Sequence, residues 1–390
     1  MAFTPGEFEK KYGAKAHVRH RAVAIDPAAK TVTVESGGVR RAERYDKLLI
    51  ATGAEPLKSP FPGAALPGVF TLRSIGDAEE IKRYISARGV TKAAVIGAGA
   101  IGLEVAEALD SRGIQVTVIE GASHPLPSFD AEMAAVITSK LRENGINVEL
   151  DSRVKGIEET PRGLAVRLPH KSIETEMAIL CAGVRPDTRL AKMAGIAVGA
   201  NGCIIVDEHL KSSDENIYAV GDAVCVKNFV TGAPSFQPLA GPANREGRIA
   251  AENIMGGGAI YRGTLGSMVV KIFDLTAART GISEREARAA GRDCGTAEVT
   301  YPSHAGYYPG AEDITMKLLF EYGSGEILGA QMTGGKGTDK RCDVIAAAMR
   351  FRATARDLTE LELCYSPPYG TAADIVNIAG YIACTKLKER

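Results

Sequence analysis

The sequence predicts an α/β fold, with strands layered against helices, completed by a C-terminal α+β domain. Three observations predict it. A short apolar run at Ala93 to Ile96 feeds a glycine-rich turn and then an amphipathic stretch reaching Leu109. Three other apolar runs, beginning at Leu48, Met177 and Ile217, also end in glycine turns. Beyond Gly256-Gly-Gly258 the pattern changes to strands followed by two late helices.

The chain is organised around Lys92-Ala-Ala-Val-Ile-Gly-Ala-Gly-Ala-Ile-Gly-Leu-Glu-Val-Ala-Glu-Ala-Leu109. Ala93 to Ile96 reads as a buried strand. Gly97 permits the tight turn, Gly99 lets the backbone approach a pyrophosphate, and Gly102 lets the helix press on the strand. The helix places Ile101, Val105 and Ala108 on one face. Its N-terminus offers unpaired N–H groups and positive dipole to phosphates. A second strand, Gln115 to Ile119, ends on Glu120, which can accept hydrogen bonds from both ribose hydroxyls and would repel a 2′-phosphate. This is a Rossmann-like dinucleotide site, reading NADH ahead of NADPH.

The composition sets bounds. A chain of 390 residues predicts two or three domains with ample core. With a formal net charge of zero there is no electrostatic case for nucleic acid or an anionic membrane. Glu104 and Glu107 interrupt the best apolar run, so no membrane span is expected. Met1 to Glu7 has neither a basic nor an apolar leader segment, so no secretory signal is expected. The cysteines at 181, 203, 225, 294, 342, 364 and 384 are odd in number and unpatterned. That argues against zinc, an iron–sulfur cluster or a disulfide scaffold, and for the cytoplasm.

Taken in order, residues 1–12 predict a helix with Thr4 as N-cap, Pro5 at N1 and Glu7 at N3. His17 to Ile25 and Lys30 to Val34 predict a β-meander turned at Asp26-Pro27. Leu48 to Ala51 reads as a buried strand ending at Thr52-Gly53, before a proline-rich loop. The nucleotide unit continues through a helix at Asp130 to Asn144, a strand at Asn147 to Leu150, and further alternating strands. It closes at Glu176 to Pro186, where Cys181 reads as a core residue inside the strand. Asn216 to Ala223 delivers Asp222 at a strand's carboxyl end, and a helix spans Pro242 to Ile254. Strands are expected at Leu265 to Phe273 and Thr315 to Glu321, a hairpin turn at Gly323-Ser-Gly325, and helices near 338–352 and 370–385.

The order of Ala51-Thr-Gly53, the Gly97 fingerprint, Ala182-Gly-Val-Arg-Pro186 and Ala219-Val-Gly-Asp222 resembles the flavin-dependent pyridine nucleotide–disulfide oxidoreductases. Four later stretches resemble the single-cysteine branch of that family, closest to coenzyme A–disulfide reductase: Pro238 to Arg248, His304 to Gly310, Gly334 to Arg341 and Tyr365 to Gly370. The resemblance implies Rossmann-like FAD/NAD(P)-binding domains of three-layer ββα type, with an α+β dimerisation domain. A partial FAD-binding domain would cover 1–70 and 186–258, the NAD(P)-binding domain 71–185, and the dimerisation domain 259–390. It implies FAD and NADH as cofactors, NADPH being possible, a small-molecule disulfide as oxidant, and a homodimer.

Site residues follow from the same resemblance. Asp222, after Gly221, would hold the ribityl chain of FAD. Ala51, Thr52 and Gly53 would pass close to the flavin nucleotide, and Gly183 would lie in the corresponding turn of the nicotinamide unit. The helix beginning near Pro242 would point positive dipole at the flavin. Tyr369, with Tyr307 or Tyr308, would be presented to the neighbouring subunit's active site, Tyr369 as the acid for a leaving thiolate. The segment Tyr365 to Gly370 has no histidine, which separates it from dithiol relatives. Lys336, Lys340 and Arg341 are candidates for the phosphates of coenzyme A, a solvated helix start being the alternative. Two family features have no counterpart in these residues: a first glycine fingerprint for the ADP half of FAD, and a Ser-Phe-x-x-Cys-Gly-like redox segment. A shortened enzyme with exposed apolar strand faces is therefore expected. NADH oxidase, peroxidase or polysulfide reductase activity, or a non-catalytic NADH-binding dimer, are the alternatives.

Overall fold

The computed structural model describes residues 3–57 and 60–390. Met1 and Ala2 of the first predicted helix, and Lys58 and Ser59 of the proline-rich loop, lie outside the described residues. The chain forms two compact units.

The first unit comprises Met1–Ala54, Arg185–Lys227 and Pro234–Gly263. Helix Pro5–Tyr12 starts as predicted. Glu7 N–H donates to the Thr4 hydroxyl at 3.3 Å, and the Glu7 carboxylate accepts from Thr4 N–H at 2.7 Å. Strands Arg21–Asp26, Thr31–Ser36 and Val39–Arg44 form the meander. The first begins later than expected, because residues 17–20 turn with a positive φ at Arg19. Leu48–Ile50 pairs in parallel with Ile217–Ala219. Its expected burial holds on one face only: Ile50 is 4% exposed and Leu49 36%. Helix Ala240–Ile254 starts two residues before Pro242 and buries Glu246, Ala250 and Asn253.

One expectation is corrected here. Cys203 and Cys225 form a disulfide, their Cα atoms 5.3 Å apart, beside the parallel pairing of Ile204–Ile205 with Val224–Lys227. Sequence spacing conceals it, because strand register alone brings the two together.

The second unit comprises Glu55–Val184, Asn228–Ala233 and Thr264–Arg390. Its parallel sheet runs in the order Val69–Thr71, Met177–Leu180, Lys92–Ile96, Gln115–Ile119, Asn147–Glu149. Alternation along Lys92–Ile96 builds three layers. Ala93 and Val95 face a core shared with helices Ala100–Asp110 and Ala131–Glu143. Ala94 and Ile96 face Ile157, Leu164 and Val166 of the antiparallel sheet Gly156–Thr160, Gly163–Arg167, Ser172–Thr175. This is the ββα sandwich.

The predicted face of helix Ala100–Asp110 is displaced. Ile101 is 45% exposed and Ala108 is exposed, while Gly102, Leu103, Val105, Ala106 and Leu109 are buried. Gly102 must face the strand, and the side chains three, four and seven positions on follow it inward. Cys181 lies one residue past strand Met177–Leu180, and burial pushes its thiol up to about 12.

The C-terminal part of this unit is a five-stranded antiparallel sheet ordered Met268–Ile272, Leu275–Gly281, Ile327–Gly334, Asp313–Glu321, Cys294–Pro302. Helices Thr338–Arg350 and Ile375–Lys388 share its main core. The last helix begins at Ile375, not 370, because Asp374 is its N-cap and the residues before it form turns. No helix among the described residues is long and apolar enough to cross a membrane.

Candidate functional site

Strand Lys92–Ile96 ends on Gly97, whose φ of +106° suits only a residue without a side chain; a Cβ there would lie 2.5 Å from the Cys181 carbonyl oxygen. At Gly102 a Cβ would lie 1.9 Å from the Gly97 carbonyl oxygen, so the helix can approach only as glycine. Gly99 is the N-cap, with open space beside it and no side-chain cap, leaving the first N–H groups of helix Ala100–Asp110 available. Gly97 and Gly99 line a cleft of about 970 Å³ together with Glu120, Arg153 and Gly183.

Glu120 is half-buried in the wall of this cleft. One carboxylate oxygen accepts the Ala98 N–H at 2.7 Å and the other the Ala122 N–H at 2.9 Å. Each oxygen keeps a lone pair for a sugar hydroxyl. The anchored acid can accept from sugar hydroxyls, and the open helix terminus can donate to a phosphate.

In the first unit, strand Ile217–Ala219 delivers Gly221 and Asp222 onto the 3₁₀ turn Gly221–Ala223. Gly221 N–H donates to the Glu246 carboxylate at 2.7 Å. Glu246 is 2% exposed, and burial raises its pKa, with the nearby Asp222 charge adding to the shift and Tyr261 and Arg245 opposing it. Asp222 is half-buried and has no hydrogen-bond partner among the described residues. Helix Ala240–Ile254 has no side-chain cap at Leu239. Pro242 is its third residue, in the first turn, where a missing N–H forfeits no intrahelical bond. Ala51 leads from strand Leu48–Ile50 into Thr52 and Gly53. The Thr52 hydroxyl donates to the Asp187 carbonyl at 2.6 Å, and Asp187 N–H returns to the Gly53 carbonyl at 2.9 Å.

The tyrosines occupy two surface loops of the second unit, joined where Ala305 N–H donates to the Pro367 carbonyl at 3.3 Å. Tyr307 and Tyr369 are exposed, and Tyr308 sets its ring edgewise to His304. The hydroxyl facing Tyr307 belongs to Tyr365, at 3.4 Å. That bond raises the Tyr307 pKa. Tyr369 makes no side-chain hydrogen bond among the described residues.

Arg341 is a correction. It is 7% exposed, its guanidinium bound to the Asp374 carboxylate at 2.7 Å and to the Ser303 carbonyl at 2.8 Å. It braces the fold and is closed to a phosphate. Lys336 and Lys340 remain exposed.

A protein-family model described as pyridine nucleotide-disulphide oxidoreductase matches residues 5–244, and the dimerisation domain of the same enzymes matches 267–374. The chain belongs to this family. An NADH oxidase of Methanocaldococcus jannaschii is 37% identical over 358 residues, 92% of this chain and 80% of that protein. A coenzyme A disulfide reductase of Staphylococcus aureus is 33% identical over 387 residues, covering 98% and 86%. The solved structure of reduced Bacillus anthracis CoADR-RHD superposes with a TM-score of 0.97 at 40% identity, covering 99% of this chain and 70% of that one.

The protein is thus an NAD(P)H-dependent oxidoreductase, and its cofactors are FAD and NAD(P)H. The residues present fit the ribityl end of FAD: Asp222 is an unpaired, half-buried carboxylate beside an uncapped helix terminus. A second glycine fingerprint, for the ADP half, does not occur in the sequence.

Tyr365 stands in the motif stretch Tyr365 to Gly370, and Glu246 in Pro238 to Arg248, without a role expected for either; Arg153 and Lys155 in the cleft wall belong to no motif. An acid on an otherwise buried helix face was the available signal for Glu246. For Arg153 there was none, because only the tertiary fold lays it across Gly121.

Proposed function

We propose that the protein works as a coenzyme A–disulfide reductase-like enzyme, in which NADH and a proton reduce a small-molecule disulfide to two thiols with release of NAD⁺. The observation that carries the reading is the Tyr307–Tyr365 hydroxyl pair, Tyr365 standing in the terminal segment Tyr365 to Gly370, which has no histidine. The relatives named coenzyme A disulfide reductase and CoADR-RHD support it. When bound, FAD supplies the two-electron acceptor that couples a nicotinamide to sulfur chemistry.

The residues divide the remaining work. Gly97, Gly99 and Gly102 shape the turn that receives the NADH pyrophosphate, and Glu120 holds its ribose. Gly183 closes the same cleft. Ala51, Thr52, Gly53, Gly221 and Asp222 serve the flavin nucleotide, and the helix carrying Pro242 supplies positive dipole. The acid expected at Tyr369 is proposed instead at Tyr307, whose hydroxyl meets that of Tyr365 at 3.4 Å, and it donates to a departing thiolate; Tyr308 is its neighbour in sequence and Tyr369 stands on the joined loop. Burial raises the pKa of Cys181, Cys294 and Cys342, so none of these three serves as a ready thiolate.

The division into 1–70 with 186–258, 71–185 and 259–390 goes with this reading, as does a homodimer formed through the C-terminal domain. A cytoplasmic location is proposed on composition. The test is NADH consumption by FAD-supplied protein, compared across coenzyme A disulfide, polysulfide, peroxide and oxygen. The disulfide should be consumed fastest. Turnover with oxygen alone would move the assignment to an oxidase.

A further inference from the structure

We propose that Arg153 sets the nucleotide preference of the cleft: its guanidinium binds the 2′-phosphate of NADPH, so that a site built around Glu120 accepts both nicotinamide nucleotides. The inference rests on reading the cleft as a nucleotide site, and deepens it.

Glu120 is held at both oxygens by backbone N–H groups, so its negative charge cannot swing aside. Alone it would exclude a 2′-phosphate by charge repulsion. The next residue is Gly121, and Arg153 lies across it. A Cβ built at Gly121 would sit 3.1 Å from Arg153 Cγ and 3.9 Å from Arg153 Nε. The crossing is fixed by main-chain bonds. Ser152 N–H donates to the Glu120 carbonyl at 2.9 Å, and Asp151 N–H donates to the Ala122 carbonyl at 2.9 Å. The segment 151–153 therefore runs alongside 120–122 as a bound edge.

Arg153 lines the cleft, is exposed, and makes no hydrogen bond or ion pair among the described residues, Glu120 included. Lys155 lines the same wall and is also without a side-chain partner there. Of the neighbouring acids, Glu149 is already paired with Lys171 at 2.7 Å. The pyrophosphate belongs at Gly99 and the helix terminus, so the anion left for a cation beside Glu120 is one on the adenosine ribose. A guanidinium presents a planar fork that matches phosphate oxygens.

The test is calorimetric titration of the full chain with two probes, adenosine 5′-monophosphate and adenosine 2′,5′-bisphosphate, on unaltered protein and on Arg153→Ala, Arg153→Lys and Gly121→Val. The unaltered protein should bind both. Arg153→Ala should weaken the bisphosphate by about tenfold or more and the monophosphate by less than about threefold. Arg153→Lys should recover part of the loss. Gly121→Val, which displaces the arginine stem without removing its charge, should reproduce the alanine pattern. Equal weakening of both probes, or no change, would overturn the inference. So would rejection of the bisphosphate by unaltered protein. Failure of both probes on unaltered protein would instead remove the nucleotide reading of the cleft, and this inference with it.

Discussion

Tyr365 and Tyr307 stand 58 positions apart, yet their hydroxyls meet at 3.4 Å. Tyr365→Phe removes the hydroxyl that holds the Tyr307 hydroxyl in place. It should lower disulfide turnover by about tenfold while leaving NADH affinity unchanged. If Tyr369→Phe produces that loss and Tyr365→Phe does not, the acid has been placed on the wrong ring. Glu246 makes a second residue-scale prediction. Its pKa is raised in the fold, so between the ordinary carboxylate pKa and the raised one the unfolded chain is charged while the folded chain stays protonated. Stability is therefore lost as pH rises through that window and regained as pH falls. Glu246→Gln keeps an acceptor for the Gly221 N–H and removes the buried charge. It should melt about 2 °C higher at pH 7.5, on the order of 0.5–1 kcal/mol, with the gain fading towards pH 4. Equal melting points at pH 7.5 would contradict the burial argument. The residues legible in the sequence, Gly97, Gly99, Gly102 and Glu120, lie within one continuous βαβ stretch. Arg153 reaches Gly121 from another loop, and local spacing carries no trace of it.

Between elements, Lys317 is the joint of the second unit. It rises from strand Asp313–Glu321 with its side chain 3% exposed, and pairs with Asp130, Glu132 and Glu284. Burial opposes its charge, but the hydrogen bonds it donates to Glu132, Glu284 and Asp130 outweigh that and raise the pKa. Gln331 donates to the same Asp130 carboxylate at 2.8 Å, and Arg279 bonds the Ser128 carbonyl. The C-terminal sheet thereby holds the start of helix Ala131–Glu143. Lys317→Met leaves three carboxylates facing one another and should cost about 3 kcal/mol, read by urea denaturation. A raised lysine contributes its full stability below the unfolded lysine pKa and loses it only as pH climbs through the folded value. The loss in the variant should therefore be the same at pH 6.5 and pH 8.5. An unchanged denaturation midpoint would show the cluster to be dispensable.

The elements read correctly from sequence were those with a local signature. Helix Pro5–Tyr12 has its capping box, Asp130 stands before Ala131–Glu143, and glycines punctuate the strands of the nucleotide unit. Strand Ile327–Gly334 is buried at every position, so it shows no alternation to read. The buried face of helix Ala100–Asp110 was misread because hydrophobicity favoured Ile101 over the glycine that meets the strand.

For the whole molecule, the family resemblance in the motifs agrees with the matches to both family models, which cover the ββα layers and the C-terminal sheet. The disulfide between Cys203 and Cys225 stayed hidden, since it depends on which strands become neighbours. Tyr307, Tyr365 and Tyr369 are all exposed on the chain taken singly, as expected of groups offered to a second copy. Sedimentation equilibrium should give twice the 41.1 kDa chain mass at micromolar concentration. A single-chain mass would remove the argument for tyrosines acting across an interface. Electron transfer from NADH to FAD on this chain is tested by anaerobic absorbance spectroscopy of the FAD-supplied protein. Addition of NADH should bleach the bound flavin's visible band, and NADPH should do so at higher concentration. A flavin spectrum that NADH leaves unchanged, or protein that retains no flavin, would contradict it.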